Sequence, residues 1–314
     1  TVTDNNGNTA TCSATVTVND TVDPVAVCRN VTLQLNAGGT ATLTASMVNN
    51  GSADACGIAS LSINTTSFNC ANVGPNSVVL TVTDVNGNSS TCSSTITVAD
   101  QIVPVAICQN LTLMLNNAGT VALTGAMANN GSSDACGIAS LNVSTGSFSC
   151  ANVGPNNVVL TVTDVNGNTS TCSSIVTVQD TVDPMPVCQN ITSFLSAGGS
   201  STVTTTQINN GSSDACGIAT LSLNNGAFSC ANVGPNTVVL TVTDVNGNTS
   251  TCSSTVTVVD SIDPVAVCRN VTVQLNAGGN GTLAASQVNN GSADACSIAS
   301  LSINTTSFTC ANVG

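Results

Sequence analysis

Sixteen cysteines fall in four columns that recur every 80 residues without an insertion or deletion: Cys12, Cys92, Cys172, Cys252; Cys28, Cys108, Cys188, Cys268; Cys56, Cys136, Cys216, Cys296; and Cys70, Cys150, Cys230, Cys310. So strict a recurrence constrains the fold before any local pattern does, because every unit must solve the same packing problem. The period is too long for a solenoid coil and close to one small sandwich domain. Proline is excluded from central strands and pushes its predecessor to extended geometry, so the Asp-Pro segments at 20–24, 180–184 and 260–264, with Asp100–Pro104, mark the junctions. Three complete domains are expected at 20–99, 100–179 and 180–259. Residues 1–19 read as the closing hairpin of a preceding or neighbouring domain, and 260–314 as an incomplete one.

Inside the unit the reading is all β. Val78 to Thr83 and Ser94 to Val98 alternate apolar residues with Thr or Ser, the period of a strand with one buried face. Between them lies Asp84-Val85-Asn86-Gly87-Asn88, a strong hairpin signal. A second hairpin is expected from Val27–Leu35 and Thr40–Ser46 across Asn36-Ala37-Gly38-Gly39, with Ile58–Ile63 and Ser67–Cys70 as middle strands. No stretch carries helical periodicity. The expected architecture is tandem immunoglobulin-like β-sandwich domains, joined by linkers too short for free rotation and so forming an elongated rod.

Composition narrows the chemistry. The chain has two cations, Arg29 and Arg269, and fifteen acids that are all Asp, for a net charge of −13. Nothing neutralises a phosphate backbone or an anionic lipid surface, which argues against nucleic acid. With no His, Ser-His-Asp and Cys-His nucleophiles and the usual His-containing metal centres cannot be built. An enzyme is not expected; paired Asp of the glycosidase kind is its only footing, and aromatic platforms for sugar are missing. No run of apolar residues is long enough to span a membrane as a helix. The chain opens in mid-strand at Thr1-Val2-Thr3-Asp4, as a piece of something longer or processed would.

The sequence Asp-Thr-Val-Asp-Pro-Val-Ala-Val-Cys-Arg-Asn-Val-Thr at 20–32, followed by Phe68–Gly74, Val78–Asp84, Gly87-Asn88 and Cys92, resembles the hyalin repeat (HYR) family. The resemblance runs through the whole chain and departs from the family at Val103, where other junctions have Asp. It implies immunoglobulin-like extracellular modules of long bacterial surface proteins, of the Bacteroidetes type, with adhesion or scaffold roles and no catalytic residues to transfer.

With about one Phe per unit, each core is thin and in need of staples. Even cysteine counts at locked spacing indicate disulfides and an oxidising, extracellular setting, while the lack of close Cys-x-x-Cys pairs disfavours thiolate metal clusters. Four cysteines per domain allow three pairings. The expected set joins first and last strands, Cys28 with Cys92, Cys108 with Cys172 and Cys188 with Cys252. It also closes the middle hairpins, Cys56 with Cys70, Cys136 with Cys150, Cys216 with Cys230 and Cys296 with Cys310.

The aspartates are columnar too. Backbone capping in turns accounts for each column taken singly, since Asp accepts nearby N–H groups better than Glu. Calcium is the sharper reading. Asp84 is expected to approach Asp20 and Asp23, Asp164 to approach Asp100, Asp244 to approach Asp180 and Asp183, with Asp260 and Asp263 at the last junction. Asp54 is left open, and the junction with Val103 should bind more weakly. Asp20-Thr21-Val22, Asp180-Thr181-Val182 and Asp260-Ser261-Ile262 resemble the O-glycan acceptor of Bacteroidetes, which makes Thr21, Thr181 and Ser261 candidate sites. Asn-x-Ser/Thr triplets at Asn30, Asn50, Asn88 and Asn110 are a weaker signal in so Asn-rich a chain.

The first 19 residues offer the hairpin that 260–314 lack. Either the sequence is a window on a longer array, or the hairpin of one copy completes the sandwich of the next, with Cys12 bonded to Cys268 of its neighbour. The functional expectation is an extracellular structural repeat protein, a rod or fibre subunit of a surface filament or stalk. The rival is a multivalent adhesin that grips glycans or another cell through repeated weak sites.

Overall fold

A computed structural model describes all 314 residues, Thr1–Gly314. It is all β apart from single turns of helix. The first nineteen residues hold one short ladder, β1 (Val2–Thr3) with β2 (Thr9–Ala10). The first repeat then contributes β3 (Val31–Gln34), β4 (Thr40–Thr42), a helical turn α1 (Ala45–Val48), β5 (Ile58–Ile63), β6 (Ser67–Asn69), a 3₁₀ turn at Cys70–Asn72, β7 (Gly74–Asp84) and β8 (Ser89–Ala99).

The strands sort into two sheets. One has the order β3-β8-β7-β5, and the other pairs β4 with β6. The hairpin β7–β8 is its centre, in register from Gly74 opposite Val98 to Thr83 opposite Ser89. β5 adds antiparallel to one side, and β3 adds parallel to the other, Val31 beside Ile96 through Gln34 beside Ala99. The segment before β3 is bridged to the loop after α1, at Val25 with Ala53 and Cys28 with Asn49.

Alternation along β7 explains the core. Val78, Leu80 and Val82 are fully buried, as is Ile96 on β8, and they pack with Leu33, Leu35, Leu43, Val48, Phe68 and Val98. Burying each such side chain contributes roughly 1.5–3 kcal/mol. The third repeat repeats this arrangement: Ile191–Phe194, Thr249–Val259, Gly234–Asp244 and Ile218–Leu223 in one sheet, and Ser200–Thr202 with Ala227–Ser229 in the other. Its core is built on Val238, Leu240, Val242 and Val256. In the second repeat the same elements recur, among them Leu111–Met114, Gly154–Asp164 and Thr169–Gln179. By compactness the chain divides into two units, Thr1–Leu111 with Leu123–Gly146 and Asn156–Val176, and Thr112–Ala122 with Ser147–Pro155 and Thr177–Gly314. The first repeat lies within one and the third within the other.

The structure corrects two of the expected pairings. The turn at 36–39 forms, with the Gly39 N–H donating to the Asn36 carbonyl at 2.8 Å, but its flanks are not a hairpin. β3 and β4 belong to different sheets, so the chain crosses the sandwich at this turn. Likewise β5 and β6 are not partners: β5 joins β7 and β6 joins β4. The expected strand 40–46 stops at Thr42, and Ala45–Val48 makes a single turn of helix, too short to show a periodicity.

Candidate functional site: the junction of cystine and aspartate

The β7–β8 hairpin sets both ends of a repeat. Its turn lies at the end where the linker enters, and β8 runs to Ala99 at the opposite end, where the next linker begins. Eleven residues of extended chain span roughly 35 Å, so groups at the two ends cannot meet. Cys56 lies beside the turn end, since the Gly57 carbonyl accepts from the Val85 N–H at 3.1 Å. Cys70 opens the 3₁₀ turn that leads into Gly74 at the other end.

The disulfides obey this geometry. Cys28 is bonded to Cys92, Cys108 to Cys172 and Cys188 to Cys252. Cys70 is bonded not to Cys56 but to Cys136 of the following repeat, with Cα atoms 5.1 Å apart. Cys150–Cys216 and Cys230–Cys296 repeat this link. The expected pairs Cys56–Cys70, Cys136–Cys150, Cys216–Cys230 and Cys296–Cys310 are therefore replaced by bonds that cross from repeat to repeat. Cys12, Cys56, Cys268 and Cys310 are free and exposed. Gly39 makes room for the crossing: at φ +69° it occupies the left-handed region, and an added Cβ would sit 2.7 Å from Cys70 Sγ and 3.1 Å from Ala135 Cβ. Gly119 and Gly199 do the same beside Cys150 and Cys230.

The aspartates divide by task. Asp84 is buried in the hairpin turn, where Oδ1 accepts the N–H groups of Asn86 (2.9 Å) and Asn88 (2.8 Å), and Oδ2 accepts Asn88 Nδ2 at 2.8 Å. Burial pushes its pKa up, but the bonds from Asn88, Asn86 and Gly87 outweigh this and hold it below the ordinary Asp value. Asp164 and Asp244 have the same partners. The turn does approach the linker, through Asn88 Nδ2 on the Asp20 carbonyl at 3.3 Å and Ser90 Oγ on the Pro24 carbonyl. Of the expected carboxylates only Asp20, Asp100, Asp180 and Asp260 enter a cluster, each with a partner from another column. An oxygen of Asp20, one of Asp54 and Cys56 Sγ lie within 4.8 Å of one another, as do Asp100, Asp134 and Cys136, Asp180, Asp214 and Cys216, and Asp260, Asp294 and Cys296. Asp84, Asp164 and Asp244 are absent from these clusters, and so are Asp23, Asp183 and Asp263. The column left open from sequence, Asp54 and its equivalents, belongs to them. Its signal was the Asp-Ala-Cys spacing, which ties Asp54 Oδ1 to the Cys56 N–H at 2.8 Å. A hydrogen bond to Asp20, with the charges of Asp20, Asp54 and Asp84, pushes the Cys56 thiol up and away from thiolate reactivity.

Both arginines donate Nε to a backbone carbonyl, Arg269 to that of Gln287 at 2.7 Å. Arg29 Nε donates to the Met47 carbonyl, and Gln109 and Gln189 fill that role with Nε2 in the next two repeats. Thr21, Thr181 and Ser261 are exposed. Asn30 and Asn110 accept the N–H groups of Thr95 and Ile175, and Asn88 holds the hairpin turn, so three of the four Asn-x-Ser/Thr asparagines have structural partners.

No family model and no curated protein matches this sequence. Solved structures do. A protocadherin gamma B7 fragment of extracellular cadherin domains 1–4 matches at 14% identity and TM-score 0.27, over 66% of this chain and 63% of that one. The titin domains I67–I69 match at 10% and 0.29, over 76% and 99%. An endo-fucoidan hydrolase of glycoside hydrolase family 107 matches at 14% and 0.21, over 68% and 38%. The chain thus spans less than two thirds of the protocadherin and hydrolase chains. Likeness this distant decides nothing about function.

Proposed function

We propose that this chain is part of an extracellular structural repeat protein, a rod or fibre subunit of a bacterial surface filament or stalk. The observation that carries the reading is the cystine from each repeat to the next, at Cys70–Cys136, Cys150–Cys216 and Cys230–Cys296. A second covalent tie beside the peptide linker removes the freedom a single strand of chain would leave. It serves mechanical continuity. Disulfides in such number belong to an oxidising compartment, and the hyalin-repeat resemblance agrees with a surface location. Exposed Thr21, Thr181 and Ser261 are the proposed O-glycan sites. Association with further copies, Cys12 of one bonded to Cys268 of another, belongs to the same proposal, and a non-reducing gel would show it as a ladder that collapses with thiol.

Small-angle scattering tests the rod. At about 35 Å for each repeat, three complete domains and the two partial ones make a rod of about 140 Å with a radius of gyration of about 40 Å, against about 20 Å for a globule of this length. A value near 20 Å overturns the proposal. The multivalent adhesin is the second reading, favoured by the recurrence of one surface in every repeat, and glycan-array binding that grows with repeat number would select it.

A further inference from the structure

Asp100 and Asp180 are only 9% and 8% exposed. In each, Oδ1 accepts the backbone N–H two residues on, from Ile102 at 3.0 Å and Val182 at 3.1 Å. Each Oδ2 is buried without any hydrogen-bond partner. A desolvated carboxylate oxygen left bare is costly, and in both places it belongs to a group already crowded by a second carboxylate. That second group is Asp134, accepting the Cys136 N–H at 2.7 Å, or Asp214, accepting Cys216 and Gly217 at 2.7 and 3.0 Å. Like charges at such separations repel unless something positive lies between them. The chain's two cations cannot supply it here, because the equivalents of Arg29 in these repeats are the neutral Gln109 and Gln189.

We infer that Asp100 with Asp134, and Asp180 with Asp214, each hold a calcium ion beside the cystine that links two repeats. The donor set selects the metal. The sulfurs of Cys136 and Cys216 are spent in disulfides and offer no thiolate, so the site is one of hard oxygens. Calcium accepts irregular geometry with waters completing the shell, whereas magnesium demands an octahedron and gives up water reluctantly. Two carboxylates place the affinity in the weak extracellular class, at a dissociation constant of about 10⁻⁴–10⁻³ M. The two sites are not equal. A cleft of about 400 Å³ lined by Asn117, Val182, Asp183, Met185, Ser213 and Asp214 opens beside the second, where Asp183 adds a negative charge. At the first junction Val103 occupies that place, so the Asp100 site is the weaker.

Equilibrium dialysis of the whole chain, stripped with chelator and titrated with calcium chloride, tests this. The double variant Asp100→Asn, Asp180→Asn keeps an oxygen for the Ile102 and Val182 N–H groups and is expected to lose two equivalents of bound calcium. Asp183→Asn should weaken one site several-fold. Unchanged stoichiometry in the double variant, or no uptake by the native chain at about 10 mM calcium, overturns the inference. Should the double variant misfold, the native chain decides alone. Calcium chloride is expected to raise its melting temperature by a few degrees beyond sodium chloride of equal ionic strength. An equal rise with both salts is charge screening and overturns it. Scattering of a true rod would be unaffected by either failure, so the two proposals fall separately.

Discussion

The hexapeptide Ile-Ala-Ser-Leu-Ser-Ile occurs at 58–63 and again at 298–303, and only the first is a strand. Val31–Gln34 is a strand too, while its near-copy Val271-Thr272-Val273-Gln274 is not. The difference lies in the strands each lies beside. β5 and β3 flank the hairpin β7–β8, whereas 298–303 and 271–274 lie beside no such hairpin. What does not need the hairpin persists in the last segment: Asn280–Thr282 still pairs with Ser307–Thr309, and Ala285–Val288 still makes its turn of helix. The turn itself recurs at the start of the chain, where Asp4 accepts Asn6, Asn8 and the Asn8 side chain as Asp84 does its own partners, with only Val2–Thr3 and Thr9–Ala10 paired around it. The β7–β8 hairpin is thus the template, and the flanking strands are its dependants, ordered by a partner rather than by their own propensity.

The largest effect is expected from supplying the template. Extending the chain beyond Gly314 with residues 235–259 should convert amide exchange at 271–274 and 298–303 from seconds to hours, matching 31–34 and 58–63, as read by hydrogen-exchange mass spectrometry. If these amides stay fast, the dependence on the hairpin is wrong. Next comes the cystine that pins β8. Replacing Cys28 and Cys92 by Ala opens a loop of sequence separation 64 and should cost about 4 kcal/mol in chemical unfolding, while Cys268→Ala, already free, should cost nothing measurable. Core truncation should separate the regions less sharply. Leu43 is 1% exposed and its equivalent Leu283 is only half-buried, so Leu43→Ala should cost about 3 kcal/mol and Leu283→Ala about 1 or less.

The same contrast accounts for how much could be read from the sequence. The hairpin was legible because the alternating runs Val78 to Thr83 and Ser94 to Val98, on either side of Asn-Gly, contain their own register, which the structure extends to eleven residues a side. Strands of three or four residues state a buried face but not a partner, so β3 and β4 were joined to each other across the turn at Gly39 when each belongs to a different sheet. The cystines failed for a different reason. In a chain with an unbroken period, the third and fourth cysteine columns pair identically whether Cys70 reaches back to Cys56 or forward to Cys136. Only the length of β7, which puts Cys56 and Cys70 at opposite ends of the repeat, decides between them. The carboxylate cluster was missed in part for the same reason, because the approach of Asp54 to Asp20 depends on the path of a loop with no periodic signal.

The smallest effect concerns the turn itself. Bonds from Asn88, Asn86 and Gly87 hold the Asp84 carboxyl below the ordinary Asp value. A folded-state pKa below the unfolded one means that this stabilisation is complete above the ordinary Asp range and is lost as pH falls through the depressed value. Asp84→Asn, which cannot titrate, should therefore flatten the acid limb of the stability curve by lowering its neutral plateau, because the ionised form is lost and an amide nitrogen cannot accept the Asn88 side chain as Oδ2 does. Asp4, held low by the side chain and backbone of Asn8, sits in the same turn but is exposed. Asp4→Asn should leave the global acid transition where it was. Equal flattening by both variants in acid titrations followed by circular dichroism would show that the turn, and not its place in the sheet, carries the effect.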